Sequence, residues 1–349
     1  AMHRALPVLV FVAGLLPSTF APFLGAEWSP QRAAQYLDAR QKAWFAWKPA
    51  ASPDGPCVSC HTGMTYLLAR PALRRALGET QPTMFEKGLL DRLRANVGAK
   101  PEGALQGVET VFAALFLAQQ DLGKVVGSET RRAFDQLWAL QLDEGATKGA
   151  WQWYPVNLDP YEHSRADFFG ASLAALAIGT MPDGYTQTPG VREHLSALIA
   201  YFETGADVQR PLHDRLARLW ASSKLRSVLP DQSRKALIEE TFGKQQADGG
   251  WSIESLGPWT PHPDAPPSHG SNNFATAFAT YVLGQVGTAS SHPGMSRALA
   301  WLKSHQDQES GAWHADSMNK RYLADSMQVL FMQDAATAFA SLALLEAGQ

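Results

Sequence analysis

Three segments of this chain repeat one phrase: a Gln at the end of an amphipathic stretch, an acidic or Gly-containing turn, then Gly, a small residue and Trp. The copies run from Gln141 to Gly149-Ala150-Trp151, from Gln246 to Gly249-Gly250-Trp251, and from Gln306 to Gly311-Ala312-Trp313. The stretch before each copy has apolar residues at helical spacing, as in Phe134, Leu137 and Trp138 ahead of Gln141. Sixteen to twenty-two residues beyond each Trp lies a stretch of another kind, Ala-rich and apolar nearly all round, over 167–179, 273–287 and 334–348. These begin with Asp167, Asn273 and Asp334, residue types suited to capping a helix N-terminus. A helix with one apolar stripe covers a core, and a helix apolar on every side lies within it. The repeated unit is therefore expected to be an outer helix, a loop and an inner helix.

The same template fits three weaker copies: outer 32–45 with inner 60–77, outer 84–97 with inner 109–122, and outer 191–205 with inner 213–222. Six helical hairpins closing head to tail predict an all-α fold, an α6/α6 toroid in which the outer-to-inner loops line one mouth. An open helical solenoid is the alternative, since periodicity alone does not show closure. No strand-rich segment or low-complexity linker interrupts the series, so 27–349 is expected to form one domain.

The Gln…Gly-(Ala/Gly)-Trp copies resemble the QW-type repeats of the squalene-hopene cyclase and prenyltransferase toroid superfamily, over most of residues 30–349. The resemblance implies a structural role for Gln141, Trp151, Gln246, Trp251, Gln306 and Trp313, with each Gln and the ring of the next turn tying neighbouring repeats together. It does not extend to the reaction. Class II terpene cyclases of this kind protonate substrate with an Asp-x-Asp-Asp motif, which this sequence lacks. The zinc-dependent prenyltransferases need a Cys, and both Cys here have another reading.

Those two Cys stand in Cys57-Val58-Ser59-Cys60-His61. Two thiols three residues apart can each add to a haem vinyl group, and the imidazole that follows then lies under the iron. The motif predicts one covalent haem c held by Cys57 and Cys60, with His61 as proximal iron ligand. A thioredoxin-like redox pair would need βαβ surroundings, and the flanks here are helical. A structural zinc site would need a second pair of ligands. A disulfide across so short a loop would be strained and stabilise little.

Residues 2–26 have a basic start (His3, Arg4), an apolar run over 5–16 and the small-residue end Gly25-Ala26, the pattern of a secretory signal. The run is too short to span a bilayer, so no stable membrane span is expected, and the protein is expected to be periplasmic or secreted. A net charge of -3 and the lack of a basic patch argue against nucleic-acid partners.

In the repeat register Cys60 and His61 fall on the first turn of an inner helix, which puts the haem at the mouth. Ring closure would bring repeat 6 beside it, and the long loop of that repeat carries Met318, Met327 and Met332; Met327 is the first choice for a distal ligand. His163 and His269 are the imidazole alternatives. Trp153, Tyr154, Tyr161 and Trp259 are expected to line the mouth, and Arg165, Lys320 and Arg321 to pair with haem propionates. The function expected first is that of an exported monohaem c-type cytochrome, active in electron transfer with a partner protein or as a haem oxidoreductase on a small-molecule substrate. The alternative is a non-redox toroid that binds or cleaves a glycan, with Tyr161, His163 and Arg165 as acid-base candidates and the haem as an accessory.

Overall fold

The computed structural model describes residues 28–98, 105–154, 156–204, 209–260 and 262–349; the expected signal segment lies outside them. Twelve α-helices among the described residues form six pairs. They are α1 Pro30–Ala46 and α2 Gly63–Ala76, α3 Met84–Asn96 and α4 Gln106–Gln120, α5 Ser128–Ala139 and α6 Asp167–Thr180, α7 Pro189–Thr204 and α8 Leu212–Ala221, α9 Asp231–Gly243 and α10 Asn273–Gln285, and α11 Pro293–Ser304 and α12 Phe331–Glu346. No strand occurs among the described residues beyond one isolated bridge between Leu158 and Glu162. The even-numbered helices are buried over most of their length, and the odd-numbered ones bury one face. Helices α4, α6, α8, α10, α12 and α2 pack in that succession, and α3 bridges α2 to α4. Because α1 and α2 both pack on α12, the last pair meets the first and the ring closes. The fold is an α/α toroid rather than an open solenoid. The segment Met327–Glu346 is long and apolar enough to cross a membrane, but it is mostly buried in the ring as the last inner helix.

The repeated phrase explains the closure. Trp151, Trp251 and Trp313 have no exposed surface. Their indole N–H groups donate to Leu137 O, Thr241 O and Leu302 O at 2.7, 2.7 and 2.8 Å, so each seals the end of its own outer helix. The Gln amide reaches further. Gln141 Nε2 donates to Gly149 O at 2.9 Å and to His194 O on α7 at 3.0 Å. Gln306 Nε2 donates to Gly311 O at 2.9 Å and Ser29 O at 3.0 Å, and Ser29 N–H donates back to Gln306 Oε1 at 2.6 Å. One amide thus ties a turn to the next outer helix, and in repeat 6 the next outer helix is α1. A Cβ on Gly311, whose φ is 77°, would stand 2.5 Å from the Arg32 carbonyl carbon, so Gly serves both the turn and the close approach.

Two expectations need correction. In repeat 5 Gln245, not Gln246, makes the paired bonds, to Gly249 O and Gly294 O at 2.8 Å each. The working Gln stands two residues past the end of its outer helix in all three repeats, and Gln245 fills that position. The inner-helix caps also differ. Asn272 rather than Asn273 caps α10, Asp167 follows Ala166 and bonds Tyr201, and Asp334 lies within the first turn of α12.

Candidate functional site

The loop between α1 and α2 carries Cys57 to His61. Helix α2 begins only at Gly63, so Cys60 and His61 lie in the turn ahead of the inner helix and not on its first turn. The cause is Ser59, whose hydroxyl accepts from Thr62 N–H at 3.1 Å and Gly63 N–H at 3.0 Å and so takes the capping role. Helix α1 holds the loop from one side. Trp44 Nε1 donates to Cys57 O at 2.8 Å, and Gln41 Nε2 donates to Thr62 O at 2.7 Å. Helix α12 holds it from the other. The fully buried Asp334 accepts from Thr62 Oγ1 at 2.7 Å, Arg40 Nε at 2.7 Å and Tyr36 OH at 2.8 Å.

Cys57, Cys60 and His61 all border one cavity of 450 Å³. That volume falls within the roughly 300–1,000 Å³ of sites that take small molecules and cofactors. Trp44, Trp47, Leu105, Val108, Phe331 and Met332 supply apolar wall, and Glu109, Glu162, Tyr154, Lys320 and Tyr322 supply polar groups. The thiols are not joined to each other. Burial pushes the Cys57 thiol up to about 11 and the Cys60 thiol well above its ordinary value. The His61 ring is stacked on Phe331 at 5.2 Å between centroids and meets the edge of Tyr161 at 5.0 Å. Neither of its nitrogens has a hydrogen-bond partner among the described residues. Burial pulls its pKa down to about 4, which leaves the imidazole neutral near pH 7, the form that coordinates a metal. Two thiols outside any disulfide and a neutral imidazole on the wall of a largely apolar cavity are a donor set that fits a covalent haem c.

Two carboxyl groups share the cavity. Glu109 accepts from Arg92 Nη2 at 3.1 and 3.2 Å and from Asn96 Nδ2 at 2.7 Å. Glu162 forms no ion pair among the described residues. Burial raises its pKa to about 7, against a hydrogen bond with the Cys60 thiol. Sequence reasoning missed both, as well as Trp44, Trp47 and Tyr322. The two Trp just upstream of the Cys pair were a signal; nothing local marked Glu162.

The residues singled out by sequence are distributed unevenly. Met332 lines the cavity, but Met327 does not: the short 3₁₀ turn Met327–Leu330 directs it into a small cluster with Trp44 and Ala50. Met318 packs against the main core. Tyr154 and Lys320 are on the cavity wall, while His269, Arg165 and Arg321 are exposed. Trp153 is buried and donates to Tyr161 O at 2.8 Å, a packing role. Trp259 covers His213.

His163 belongs to a second polar cluster. Its Nε2 lies 3.2 Å from Asp214 Oδ2, and His213 Nδ1 lies 3.0 Å from Asp214 Oδ1. Burial alone would raise the Asp214 carboxyl, but the two imidazoles hold it below the usual carboxylate range. Burial lowers His213, whereas at His163 the contact with Asp214 outweighs burial and raises the imidazole.

The sequence matches no protein-family model and no curated protein. Solved structures do resemble it. A polysaccharide lyase superposes with a TM-score of 0.57 at 14% identity, over 91% of this chain and 96% of that one. A glycosyl hydrolase family 88 protein from Bacteroides vulgatus gives 0.54 at 13% identity, over 90% and 98%. The GH76A α-1,6-mannanase of Salegentibacter sp. HEL1_6 gives 0.55 at 11% identity, over 91% and 100%. At such identities the likeness establishes the fold alone: this chain is an α/α toroid similar to those of glycan-processing enzymes.

Proposed function

We propose that this chain is an exported monohaem c-type cytochrome built on an α/α toroid, with the haem bonded through Cys57 and Cys60 and His61 as its proximal ligand. One observation carries the reading: both thiols and the imidazole open onto the same apolar-walled cavity. Bound haem supplies one-electron chemistry at iron. The chain supplies orientation and shelter. Phe331 and Tyr161 fix the plane of the His61 ring, the Asp334–Thr62 bond fixes its loop, and Trp44, Trp47 and Val108 give the cavity apolar wall. Lys320 at the wall is suited to a propionate. Met332, which lines the cavity where Met327 does not, would be the thioether available to such a haem. The partner is an electron-transfer protein or a small substrate in the periplasm or outside the cell.

Optical spectra of the exported protein, oxidised and reduced, with and without carbon monoxide, test this. A reduced spectrum of thioether-linked haem is expected. Failure to bind carbon monoxide identifies a carrier with two axial ligands, and ready binding identifies an open iron. A colourless protein overturns the proposal.

A second reading takes the mouth as a glycan site, and the solved structures favour this class over a redox one. The cavity supports it with aromatic walls and two carboxyl groups in different settings, Glu162 uncharged up to about pH 7 and Glu109 clamped by Arg92. A carboxylic acid and a carboxylate on the walls of one cavity are the two groups that hydrolysis of a glycosidic bond uses. Glu162 then takes the acid role expected of Tyr161, His163 and Arg165, since the first two are packed or paired elsewhere and the third is exposed. Release of reducing ends from polysaccharides by the wild type, lost in Glu162→Gln, would establish it; no release from a broad panel would set it aside.

A further inference from the structure

His213 has no exposed surface and stands in a cage of rings. Phe278 lies at 4.8 Å between centroids, Phe169 at 5.3 Å, Tyr161 at 5.5 Å, Trp259 at 5.8 Å and Phe274 at 6.0 Å. Its Nδ1 faces Asp214, but its Nε2 has no partner, and neither does the equally buried hydroxyl of Tyr161. A buried polar atom left unpaired costs about 1–3 kcal/mol, and native structures keep few of them. Nothing in the packing of the ring requires this expense, since phenylalanines already line the same space. Asp214 in turn holds His163, whose side chain is 11% exposed and brings the array to the surface. On the inner side Tyr161 joins the array to the proposed haem ligand, touching His213 with one part of its ring and His61 with another.

We propose that the His163–Asp214–His213 array is a proton-binding site coupled to the redox state of the His61 site, taking up one proton when that site gains one electron. The inference rests on the haem reading. With Nδ1–H donating to Asp214, His213 keeps a free lone pair at Nε2, and this is where the proton goes. One electron from a one-electron donor, a protein or a dissolved mediator, takes ferric iron to ferrous. One proton from solvent makes His213 an imidazolium, and oxidation reverses both. The coupling is electrostatic: an electron added behind Tyr161, in a medium far less polarisable than water, favours a positive charge on a nearby neutral base. Asp159 in the same loop acts on both imidazoles, Arg165 acts on His163 against protonation, and Asp167 of α6, bonded to Tyr201 and beside Arg210, acts on Asp214. Among the described residues, Trp259 and the Phe274 and Phe278 of α10 face His213 with rings.

The test is the midpoint potential of the holoprotein, measured by spectroelectrochemistry from pH 5 to pH 9. The potential should fall as pH rises, with a slope approaching 59 mV per pH unit, the one-electron equivalent of a tenfold change. In His213→Phe, which fills the cage with one more ring, the slope should vanish. His163→Gln, at the partly exposed end, should displace the sloping window along the pH axis and serves if the first variant does not fold. A flat wild-type profile, or an unchanged slope in both variants, overturns the coupling while leaving the haem in place. A protein without covalent haem overturns the haem reading itself.

Discussion

Repeats 1 and 6 both join an outer helix to an inner one across the same mouth, and they do so with opposite kinds of residue. In repeat 6 the connection is built to hold. Trp313 seals the end of α11, Gln306 reaches across to Ser29, and Gly311 lets the turn press on Arg32. Repeat 1 has no such Trp turn. In its place stand Cys57 and Cys60 with unjoined thiols and a His61 whose nitrogens bond to nothing among the described residues, all facing a cavity. Its loop is kept in position from outside, by Trp44 and Gln41 of α1 and by Asp334 of α12. Where every polar group is satisfied locally the residues serve the ring, and where reactive groups are left free and braced by neighbours they are available for chemistry.

This contrast can be broken by substitution, and the largest effect belongs to repeat 6. Trp313→Ala should cost about 3–5 kcal/mol in denaturant unfolding, because it empties a fully buried site and takes from Leu302 O one of its two donors. Gln306→Ala should cost about 1–3 kcal/mol by leaving the Gly311 carbonyl and the Ser29 N–H without their partners and the Ser29 carbonyl with Ala33 N–H alone. The loss should be as large at the ring closure as for Gln141→Ala inside the ring; a much smaller loss would mean that the ends of the ring are held by something else.

The third test concerns pH. Glu162 has its folded pKa raised to about 7 by burial, so between its ordinary value and 7 the folded chain holds more proton than the unfolded one. Before haem is attached, its contribution to stability should be full at low pH and lost as pH rises through 7. Glu162→Gln should remove this decline, which the size of the shift puts at up to about 3 kcal/mol. Unfolding midpoints at pH 5 and pH 8 give the comparison, and an equal change in wild type and variant would contradict it. The smallest effect on folding belongs to the attachment residue itself. Cys57→Ser, at a half-buried position, should change the stability of the haem-free chain by less than about 1 kcal/mol.

The ring was legible in the sequence because its devices are local and repeated. A Trp turn, an amphipathic stretch and an apolar helix recur at readable spacings, and the choice between ring and open solenoid came from the packing of α1 and α2 on α12. That Cys57, Cys60 and His61 share one wall was legible for the same reason, as they lie within five residues of one another. What escaped depends on contacts between distant segments. Gln246 was preferred to Gln245 because the phrase was aligned on its Trp, whereas the bond depends on distance from the end of α9. Met327 was preferred to Met332 because a one-turn 3₁₀ segment that redirects side chains leaves no periodic trace. Glu162 meets Cys60, and His163 meets Asp214, only because the loop ahead of α6 folds over the mouth. A resemblance to cyclase repeats gave the toroid, while solved structures similar to it are those of glycan-processing enzymes, so the shared shape does not decide the chemistry.

The central claim is a pair of covalent bonds, and peptide mass mapping of the exported protein examines them directly. After digestion and extraction with acid acetone, the peptide containing Cys57 and Cys60 should retain one haem through two thioether links, with no free thiol. The same peptide recovered at its unmodified mass, with both thiols open to alkylation, would contradict the account.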